Sequence, residues 1–351
     1  MHEELLRRLA EFDAGDSGVL SLYLDMRPQQ TGESPGLRDA LVIMRDRLRE
    51  IERTLKRRDD IDAFQADVAR LESYLATDFP TEAQGLAVFA CGPRGLYETI
   101  PSGIPFETQV SFGSRPELYQ LARQIDDLET AVVAVVDTNT ARLFLMRSGF
   151  MNEVGGPERQ DRDENRKHQA GGWSQARFQR HIQNNRVEFI KTAAEAIEQL
   201  VQREGATRLV LAGNEVALPL LKDALSPQMA QLLHDEPLRL HIRTPGAQVQ
   251  SEVAPLLMQL ETEQDRTVVE QLVDGVRGGG LAVSGLKQTR QALENGQVDT
   301  LVLATNTGLA EEERNELIQL AATTSAGVEV VEGHETLDEL GGVGALLRYK
   351  F

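Results

Sequence analysis

Two short runs of apolar residues place the strongest constraint on how this chain folds. AVVAVV, from Ala131 to Val136, and LVLA, from Leu301 to Ala304, contain no polar or charged residue. A strand with apolar side chains on both faces must be covered on both faces, which favours a sheet between layers of helices. Helix-like segments accompany both runs, so the sequence predicts layered α/β structure in the middle and C-terminal parts of the chain.

The chain is long enough to need more than one core. A chain of 351 residues exceeds the size at which a single hydrophobic core stops growing, so two or three domains are expected. We place the boundaries so that an N-terminal α+β domain covers residues 1–125, a middle α/β domain covers 126–247 and a C-terminal α/β domain covers 248–351.

The first domain combines strands with a helical hairpin. GVLSLYLDM alternates apolar and polar residues, as a half-buried strand does, and Ser34-Pro35 is a typical start for a helix. GLAVFACG, GLYETI and ETQVSF are expected to add further strands. Spacings of three and four residues predict two antiparallel helices, with apolar positions at Leu37, Leu41, Met44, Leu48, Ile51 and Leu55, then Ile61, Phe64, Val68, Leu71 and Leu75.

The other two domains alternate strands and helices. In the middle domain, a strand hairpin with its turn at Asp137 to Asn139 precedes a long helix that Gly205 ends, and RLVLAG and LRLHI are predicted as strands around the helix LPLLKDAL. The last domain is expected to begin with a helix from Leu257 to Val273. Its βαβαβ pattern ends with a strand at LLRYKF, and VDTLVLA is typical of a buried parallel strand.

Composition limits the partners and the compartment. The net charge of −18 disfavours a general attraction of the surface to nucleic acid or anionic membranes, so any polyanion must be bound locally. Cys91 is the only cysteine, which excludes an intramolecular disulfide and a thiolate zinc site. No signal peptide or membrane span is expected, and the sequence predicts a soluble cytoplasmic protein without a membrane partner.

Common cofactor and catalytic motifs do not occur in the sequence. VRGGGLAVSG lacks the Gly-Lys-Ser/Thr ending of a phosphate-binding loop, and LGGVGALL lacks the spacing of a dinucleotide site, so turn glycines explain both. Neither a serine hydrolase elbow nor a zinc protease motif is present. We therefore expect no cofactor and no metal site.

A basic segment inside this acidic chain is the best candidate for function. From Asn165 to Arg186 there is no Asp or Glu, and Gly171, Gly172 and Trp173 stand at its centre. Ser174 is expected to be the N-cap of the long helix, whose positive dipole end would attract an anion. A solvated loop without function is the competing interpretation. The residues predicted to contact RNA are Arg166, Lys167, His168, Trp173, Arg177, Arg180 and His181.

Three stretches resemble one known superfamily. GGWSQARFQRHIQNN, SGLKQTRQALENGQVDTLVLATN and VEVVEGHETLDELGGVGALLRY are similar to the archaeo-eukaryotic peptide-chain release factors and their Pelota-type relatives, specifically to the bacterial archaeo-eukaryotic release factor family. The resemblance runs from about Thr130 to the C-terminus. It implies a ribonuclease-H-like middle domain, whose loop reaches the peptidyl transferase centre, and a C-terminal α/β domain similar to kink-turn-binding ribosomal proteins.

The resemblance also implies a catalytic tip. In such factors a Gly-Gly-Gln motif brings a glutamine to the ester of peptidyl-tRNA, and Gln175 is the matching position here. Gly171 and Gly172 would be the glycine pair, but Trp173 and Ser174 separate them from Gln175, so the motif is nearer to the Ser-Gln variants of some relatives. A glutamine amide cannot act as a general base, so catalysis would depend on backbone donors and positioned water.

The resulting hypothesis is a factor that binds the ribosomal A site and rescues stalled ribosomes by hydrolysing peptidyl-tRNA. Its partners would be ribosomal RNA, P-site peptidyl-tRNA and a translational GTPase. A close alternative is a Balon-like hibernation factor that occupies the A site without releasing a chain. A second alternative is an RNA-binding or scaffold protein that acts away from the ribosome. The first domain lacks an Asn-Ile-Lys-Ser motif, which disfavours stop-codon decoding.

Overall fold

The computed structural model describes residues 2–28, 37–159 and 173–350, with residues 2, 3 and 173–182 described as backbone alone. These residues form two compact units, one made of the chain up to Asp127 together with the chain from Gln259 onward, and one made of Leu128–Met258. They contain three four-stranded sheets and helices that pack on them, which confirms the predicted multidomain α/β and α+β class. The three-domain division stays a prediction.

The N-terminal part of the first unit is an antiparallel sheet with helices on both faces. Its elements are α1 (His2–Ala10), β1 (Val19–Asp25), α2 (Leu37–Thr54), α3 (Arg58–Thr77), β2 (Gly85–Cys91), β3 (Leu96–Ser102), β4 (Gln109–Gly113) and α4 (Tyr119–Asp127). The strand order is β3-β2-β1-β4. The predicted helical hairpin is confirmed, because α2 and α3 both pack on one face of this sheet.

The prediction that GVLSLYLDM is a half-buried strand is wrong. All seven residues of β1 are buried. Leu20, Leu22 and Leu24 face the helical hairpin, while Tyr23 packs with Phe89 in a second core that includes α1 and α4. Polar positions along the strand therefore lie under helices rather than in solvent, and the Tyr23 hydroxyl donates a hydrogen bond of 2.7 Å to the Glu117 carbonyl.

The second unit is a sheet whose strand order is that of a ribonuclease-H-like fold. Its elements are β5 (Ala131–Val136), β6 (Ala141–Arg147), β7 (Phe150–Gly155), α5 (Trp173–Glu204), β8 (Arg208–Gly213), α6 (Ala217–Ala224), α7 (Pro227–Leu232) and the first part of α8 (Gly246–Arg277). The order is β7-β6-β5-β8, an antiparallel meander joined to a parallel fourth strand. Helices α5, α6 and α7 cover one face, and α8 covers the other.

The predicted strand LRLHI does not form. Leu238 makes only an isolated bridge to Ala212, and the Leu240 N–H donates to the Leu238 carbonyl at 3.1 Å, which turns the chain away from the sheet. Pro237 also lacks an N–H that could join a ladder. The segment therefore covers the edge of the sheet as an irregular chain, with Leu238, Leu240 and Ile242 packed on the core.

The C-terminal part of the first unit is a mixed sheet with helices. After α8 come β9 (Ala282–Ser284), α9 (Leu286–Glu294), β10 (Val298–Ala304), α10 (Glu311–Thr323), β11 (Gly327–Val331), α11 (Glu335–Glu339) and β12 (Val343–Leu347). The order is β11-β10-β12-β9, and β10 is parallel to β11 but antiparallel to β12. Residues of α10 and β10 share one hydrophobic core with Leu9 of α1 and Leu118 beside α4.

Two predicted boundaries in this part are wrong. Helix α8 runs from Gly246 to Arg277 rather than from Leu257 to Val273, and it continues through Pro255. The last strand is Val343–Leu347 rather than LLRYKF, because Val343 pairs with Leu303 and the chain leaves the sheet at Arg348. In the part of the chain that the structure describes, no helix is both long and apolar enough to cross a bilayer.

Candidate nucleic-acid interface

The segment that precedes the basic region is fixed at the turn between β5 and β6. The Asp137 carboxylate accepts a hydrogen bond from the Asn139 N–H at 2.8 Å, which closes this turn. The Ala141 N–H donates to the Pro157 carbonyl at 2.9 Å, and the Arg159 N–H donates to the Asn139 carbonyl at 2.8 Å. The chain that leaves β7 is therefore held at the carboxyl end of β5 as far as Arg159.

Helix α5 is much longer than the strands on which it packs. Its 32 residues correspond to about 48 Å, whereas the six residues of β5 or β8 span about 20 Å. Gly205, with φ of +62°, ends the helix and leads directly into β8, so the C-terminal end of α5 lies near the start of that strand. The excess length is at the N-terminal end, beyond the carboxyl ends of β5 and β8.

The C-terminal half of α5 anchors the helix. Among residues whose side chains the structure describes, Phe189 is the first in α5 that is buried. At the far end, the Arg147 guanidinium donates to the Glu204 carbonyl at 2.7 Å and pairs with its carboxylate at 3.2 Å. The Glu198 carboxylate accepts the Ser226 N–H at 2.8 Å. The buried face consists of Phe189, Ile190, Ala193, Ala194, Ile197, Leu200 and Val201.

The N-terminal half of α5 bears positive charge only. Its first acidic residue is Glu188, so fifteen helical positions from Trp173 precede any carboxylate. Arg180 and His181 lie three and four residues after Arg177, so the backbone positions of all three are on one side of the helix. The helix dipole adds about half a positive charge at the same end. This end of α5 is therefore a favourable place for a polyanion.

The predicted site residues lie at this end or in the segment before it. Trp173, Ser174 and Gln175 are the first three residues of α5, and Arg177, Arg180 and His181 follow in the same helix. The prediction that Ser174 is the N-cap is wrong, because the helix already begins at Trp173. The other predicted residues, Arg166, Lys167, His168, Gly171 and Gly172, lie outside the described residues.

The backbone of this end offers hydrogen-bond donors. The first four N–H groups of an α-helix have no acceptor within the helix, and Gln175 is the third helical residue. A negatively charged oxygen placed at the end of α5 can accept such N–H groups and is stabilised further by the helix dipole. The arrangement suits phosphate binding, and it equally suits stabilisation of an oxyanion.

Three carboxylates form a cluster in the first unit that was not predicted from the sequence. One oxygen from each of Asp126, Glu261 and Glu329 lies within 4.8 Å of the others. They come from α4, α8 and β11, and Asp265 of α8 lies close enough to Glu329 for their charges to interact. The Asp126 carboxyl also accepts the Val330 N–H at 2.6 Å. No spacing in the sequence reveals this cluster, because its members are far apart along the chain.

Burial changes the ionisation of this cluster. It raises the pKa of Asp126 to about 9, and the neighbouring Glu329 carboxylate adds to the effect. Burial also raises the pKa of Asp265 to about 7, again with a contribution from Glu329. Carboxylate oxygens are the ligands that hard divalent cations prefer, so the three residues could hold such an ion if Asp126 lost its proton. At neutral pH, that proton reduces the repulsion between the acids.

Comparison with known families assigns most of the chain beyond α3. Residues 116–258 match the model of bacterial archaeo-eukaryotic release factor family 10, and residues 262–351 match that of eRF1 domain 3. The Pelota homologue of Pyrococcus furiosus is 28% identical over 174 residues, which is 46% of this chain and 49% of that protein. That of Thermococcus kodakarensis is 26% identical over 235 residues, 62% of this chain and 61% of that protein. The matched stretch thus spans about half to three fifths of these relatives.

Solved structures of the same superfamily are also similar. A ribosome-bound archaeal Pelota, described together with ABCE1, is 17% identical with a TM-score of 0.46, and the match covers 100% of this chain and 94% of that one. Dom34 of Saccharomyces cerevisiae, described as a termination-like factor that interacts with Hbs1, is 14% identical with a TM-score of 0.44. This match covers 73% of this chain and 74% of Dom34. The two family models and the Pelota homologues confirm the resemblance of this chain to the bacterial archaeo-eukaryotic release factor family and its Pelota-type relatives.

Proposed function

We propose that this protein is a cytoplasmic translation factor that binds the ribosomal A site and directs the N-terminal end of α5 toward the peptidyl transferase centre. The observation that supports this most is the shape and charge of α5. A helix anchored over its last turns bears only positive charge over its first fifteen residues, in a chain whose net charge is −18. The similarity of two parts of the chain to release factor families supports the same assignment.

The proposed activity is ribosome rescue by hydrolysis of peptidyl-tRNA. Water attacks the carbonyl carbon of the ester, the bond to the ribose oxygen breaks, and that oxygen leaves with a proton. The Gln175 N–H, at the start of α5, would donate a hydrogen bond to the oxyanion that develops on the carbonyl oxygen. Its side-chain amide would position the water, and Gly171, Gly172 and Ser174 would let the backbone approach the ester.

The remaining predicted residues would hold the tip against RNA. Arg166, Lys167, Arg177 and Arg180 would neutralise phosphates of ribosomal RNA or of the P-site tRNA, with His168 and His181 as further donors. Trp173 would stack on an exposed base. A translational GTPase is proposed as the partner that delivers the protein, as expected for this superfamily.

A hibernation factor is the second candidate, and the motif itself favours it. Two residues separate the glycine pair from Gln175, and a shift of about an ångström is enough to abolish a positioned reaction. The same helix end could then occupy the A site without releasing a chain. An RNA-binding or scaffold role away from the ribosome would need neither the ester nor the A site.

A release assay distinguishes these candidates. Ribosomes with labelled peptidyl-tRNA in the P site and an empty A site are mixed with the protein, and freed peptide is measured against time. We expect Gln175→Ala to slow release, because it removes the amide that positions the water, and Gln175→Pro to reduce the rate much further, by about a hundredfold to a thousandfold, because proline also removes the N–H. Proline is tolerated in the first turn of a helix, so the fold should survive.

Binding is measured in the same samples by sedimentation with ribosomes. Both variants should sediment like the wild-type protein, since the substitution removes one donor only. Wild-type protein that is bound but leaves the ester intact would exclude the hydrolase and leave the hibernation factor. Wild-type protein that does not sediment with ribosomes at any salt concentration would exclude both.

A further inference from the structure

The segment between β4 and α4 joins two parts of the first unit that are far apart in the sequence. We call residues 115–119 the docking segment. The Pro116 carbonyl accepts hydrogen bonds from the side chains of Asn315 at 2.9 Å and Gln319 at 3.0 Å, both in α10. The Leu118 N–H donates to the Asn315 side-chain oxygen at 2.8 Å. These bonds hold the N-terminal part of the unit on a helix of the C-terminal part.

Glu117 lies in the middle of the docking segment, and its backbone is tied to β1. Its N–H donates to the Ser21 hydroxyl at 3.0 Å, and its carbonyl accepts the Tyr23 hydroxyl at 2.7 Å. Its side chain is partly buried, and its carboxylate accepts the Tyr119 N–H at 3.4 Å, which is long for a hydrogen bond to a charged group. This bond therefore compensates little of the charge on a carboxyl that the fold places at the contact with α10.

Side chains of α10 act on this carboxyl in opposite directions. Glu311 and Glu312, in the first turn of α10, repel a negative charge on Glu117, whereas Arg314 attracts it. The Arg314 guanidinium lies 3.6 Å from the centre of the Tyr119 ring, so stacking holds it at the start of α4. The attraction to Arg314 is thus opposed by two acids of the same helix.

Burial decides the ionisation of Glu117. It raises the pKa of the carboxyl to about 7, and Glu311 and Glu312 add to the shift, while Arg314 opposes it. On the side of β1, the Tyr23 hydroxyl keeps its proton, because burial raises its pKa well above the ordinary value. When the docking segment separates from α10, water surrounds Glu117 and its pKa returns to about 4.3. Separation therefore releases a proton at pH values between about 4.3 and about 7.

We propose that Glu117 is a proton-controlled latch between the docking segment and α10, which holds the N-terminal and C-terminal parts of the first unit together more firmly at mildly acidic pH than at neutral pH. A carboxyl that is neutral when docked strengthens the contact fully below its ordinary pKa, and this contribution is lost as pH rises to about 7. The latch belongs to the first unit alone and does not depend on the proposed function.

The test follows hydrogen exchange of the full chain at pH 5.5 and pH 7.5, on peptides that cover the docking segment. The Leu118 N–H reports the contact directly, because its acceptor is the Asn315 side chain. Protection factors rather than rates are compared, since the intrinsic exchange rate itself changes with pH. Glu117→Gln keeps the shape of the neutral carboxyl, and Glu294→Gln, at an exposed position in α9, is the matched control.

We expect protection of the docking segment in the wild-type protein to fall by about tenfold to twentyfold from the lower to the higher pH, because separation releases the proton of Glu117. Glu117→Gln should show the same protection at both pH values, and the control should follow the wild-type protein.

A further variant tests the charges that act on the latch. Glu311→Gln and Glu312→Gln are combined, which removes the two repelling acids and leaves Glu117 itself unchanged. The pKa of Glu117 should then be lower, so this paired variant should lose less protection between the two pH values than the wild-type protein. A role of Glu117 in packing alone would not produce this change.

Several outcomes would overturn the inference. Protection in the wild-type protein that does not change with pH would do so, as would a Glu117→Gln variant whose protection falls as steeply as that of the wild type. A paired variant that loses as much protection as the wild type, or a control that loses the pH dependence, would also contradict the latch. Neither peptide release nor ribosome binding enters this test, so its failure would leave the proposed function unaffected.

Discussion

At the scale of single residues, Asp126 shows how burial determines chemistry. An oxygen of its carboxyl lies within 4.8 Å of oxygens of Glu261 in α8 and Glu329 in β11, and the carboxyl accepts the Val330 N–H at 2.6 Å. Burial and the Glu329 charge raise its pKa to about 9, so the folded protein holds a proton there at neutral pH that the unfolded chain releases. The stability of the first unit is therefore linked to pH.

The sign of this link follows from the direction of the shift. A carboxyl whose pKa is higher in the folded state makes its full contribution to the free energy of unfolding below its unfolded pKa of about 4. That contribution is lost as pH rises toward the folded pKa of about 9. We expect Asp126→Asn to reduce the loss of melting temperature between pH 6 and pH 9, because the amide resembles the protonated acid. The exposed Asp223→Asn serves as the control and should leave the pH dependence unchanged. Parallel curves for wild type and Asp126→Asn would contradict the linkage.

Predictions from the sequence differ in quality from residue to residue. Gly205 was predicted to end the long helix, and it does, because a left-handed φ is a local property that glycine satisfies alone. The acidic cluster could not be predicted, because it depends on three segments that only the tertiary fold brings together. In the sequence, nothing distinguishes these three acids from the other Asp and Glu residues of a chain that contains 55 in all.

At the scale of elements, periodicity predicted helices better than strands. In the predicted long helix, Phe189, Ala193, Ile197 and Val201 recur every four residues, and all four are buried. LRLHI was predicted as a strand, but Pro237 and the turn at Leu238 prevent a ladder. A helix satisfies its own backbone, whereas a strand depends on a neighbour that the local sequence does not specify.

The two ends of α5 allow a direct test of its proposed role. Arg177→Glu reverses a charge near the N-terminal end, whereas Arg203→Glu makes the same change in the last turn. We expect Arg177→Glu to weaken binding to ribosomes by about tenfold at low salt and to reduce the salt dependence, since a phosphate contact is replaced by repulsion. Arg203 is 66% exposed and next to the anchored end, so its variant should bind normally. Equal effects would indicate a nonspecific response to net charge.

At the scale of the whole molecule, the first unit is assembled from both ends of the sequence. Leu9 and Tyr23 share a core with Leu317 and Ile318, more than 290 residues further along the chain. The Asn315 side chain accepts the Leu118 N–H at 2.8 Å and donates to the Pro116 carbonyl at 2.9 Å, which adds polar contacts to this core. The composition of such a core cannot be predicted from local pattern, because each helix fits several neighbours equally well.

The second unit offers a test of where a domain ends. The predicted end lies at Ala247, but α8 continues beyond that point and buries Val249 and Val253 against the second face of the sheet. Both valines are fully buried, and burying one such side chain stabilises a fold by about 1.5 to 3 kcal/mol. A fragment that stops at Ala247 would leave Val133, Val135 and Val210 open to solvent.

We therefore expect a fragment of residues 128–258 to fold alone and unfold in a single cooperative transition, while a fragment of residues 126–247 is less stable by about 3 kcal/mol or more. Thermal unfolding and binding of a hydrophobic dye measure the difference, because the exposed valines of the shorter fragment should bind the dye. A matched control is the longer fragment with Val249→Ala and Val253→Ala, which keeps α8 but removes part of its apolar face, and it should melt between the other two. Equal melting temperatures for the two fragments would show that α8 adds nothing to the second unit and would support the boundary at Ala247.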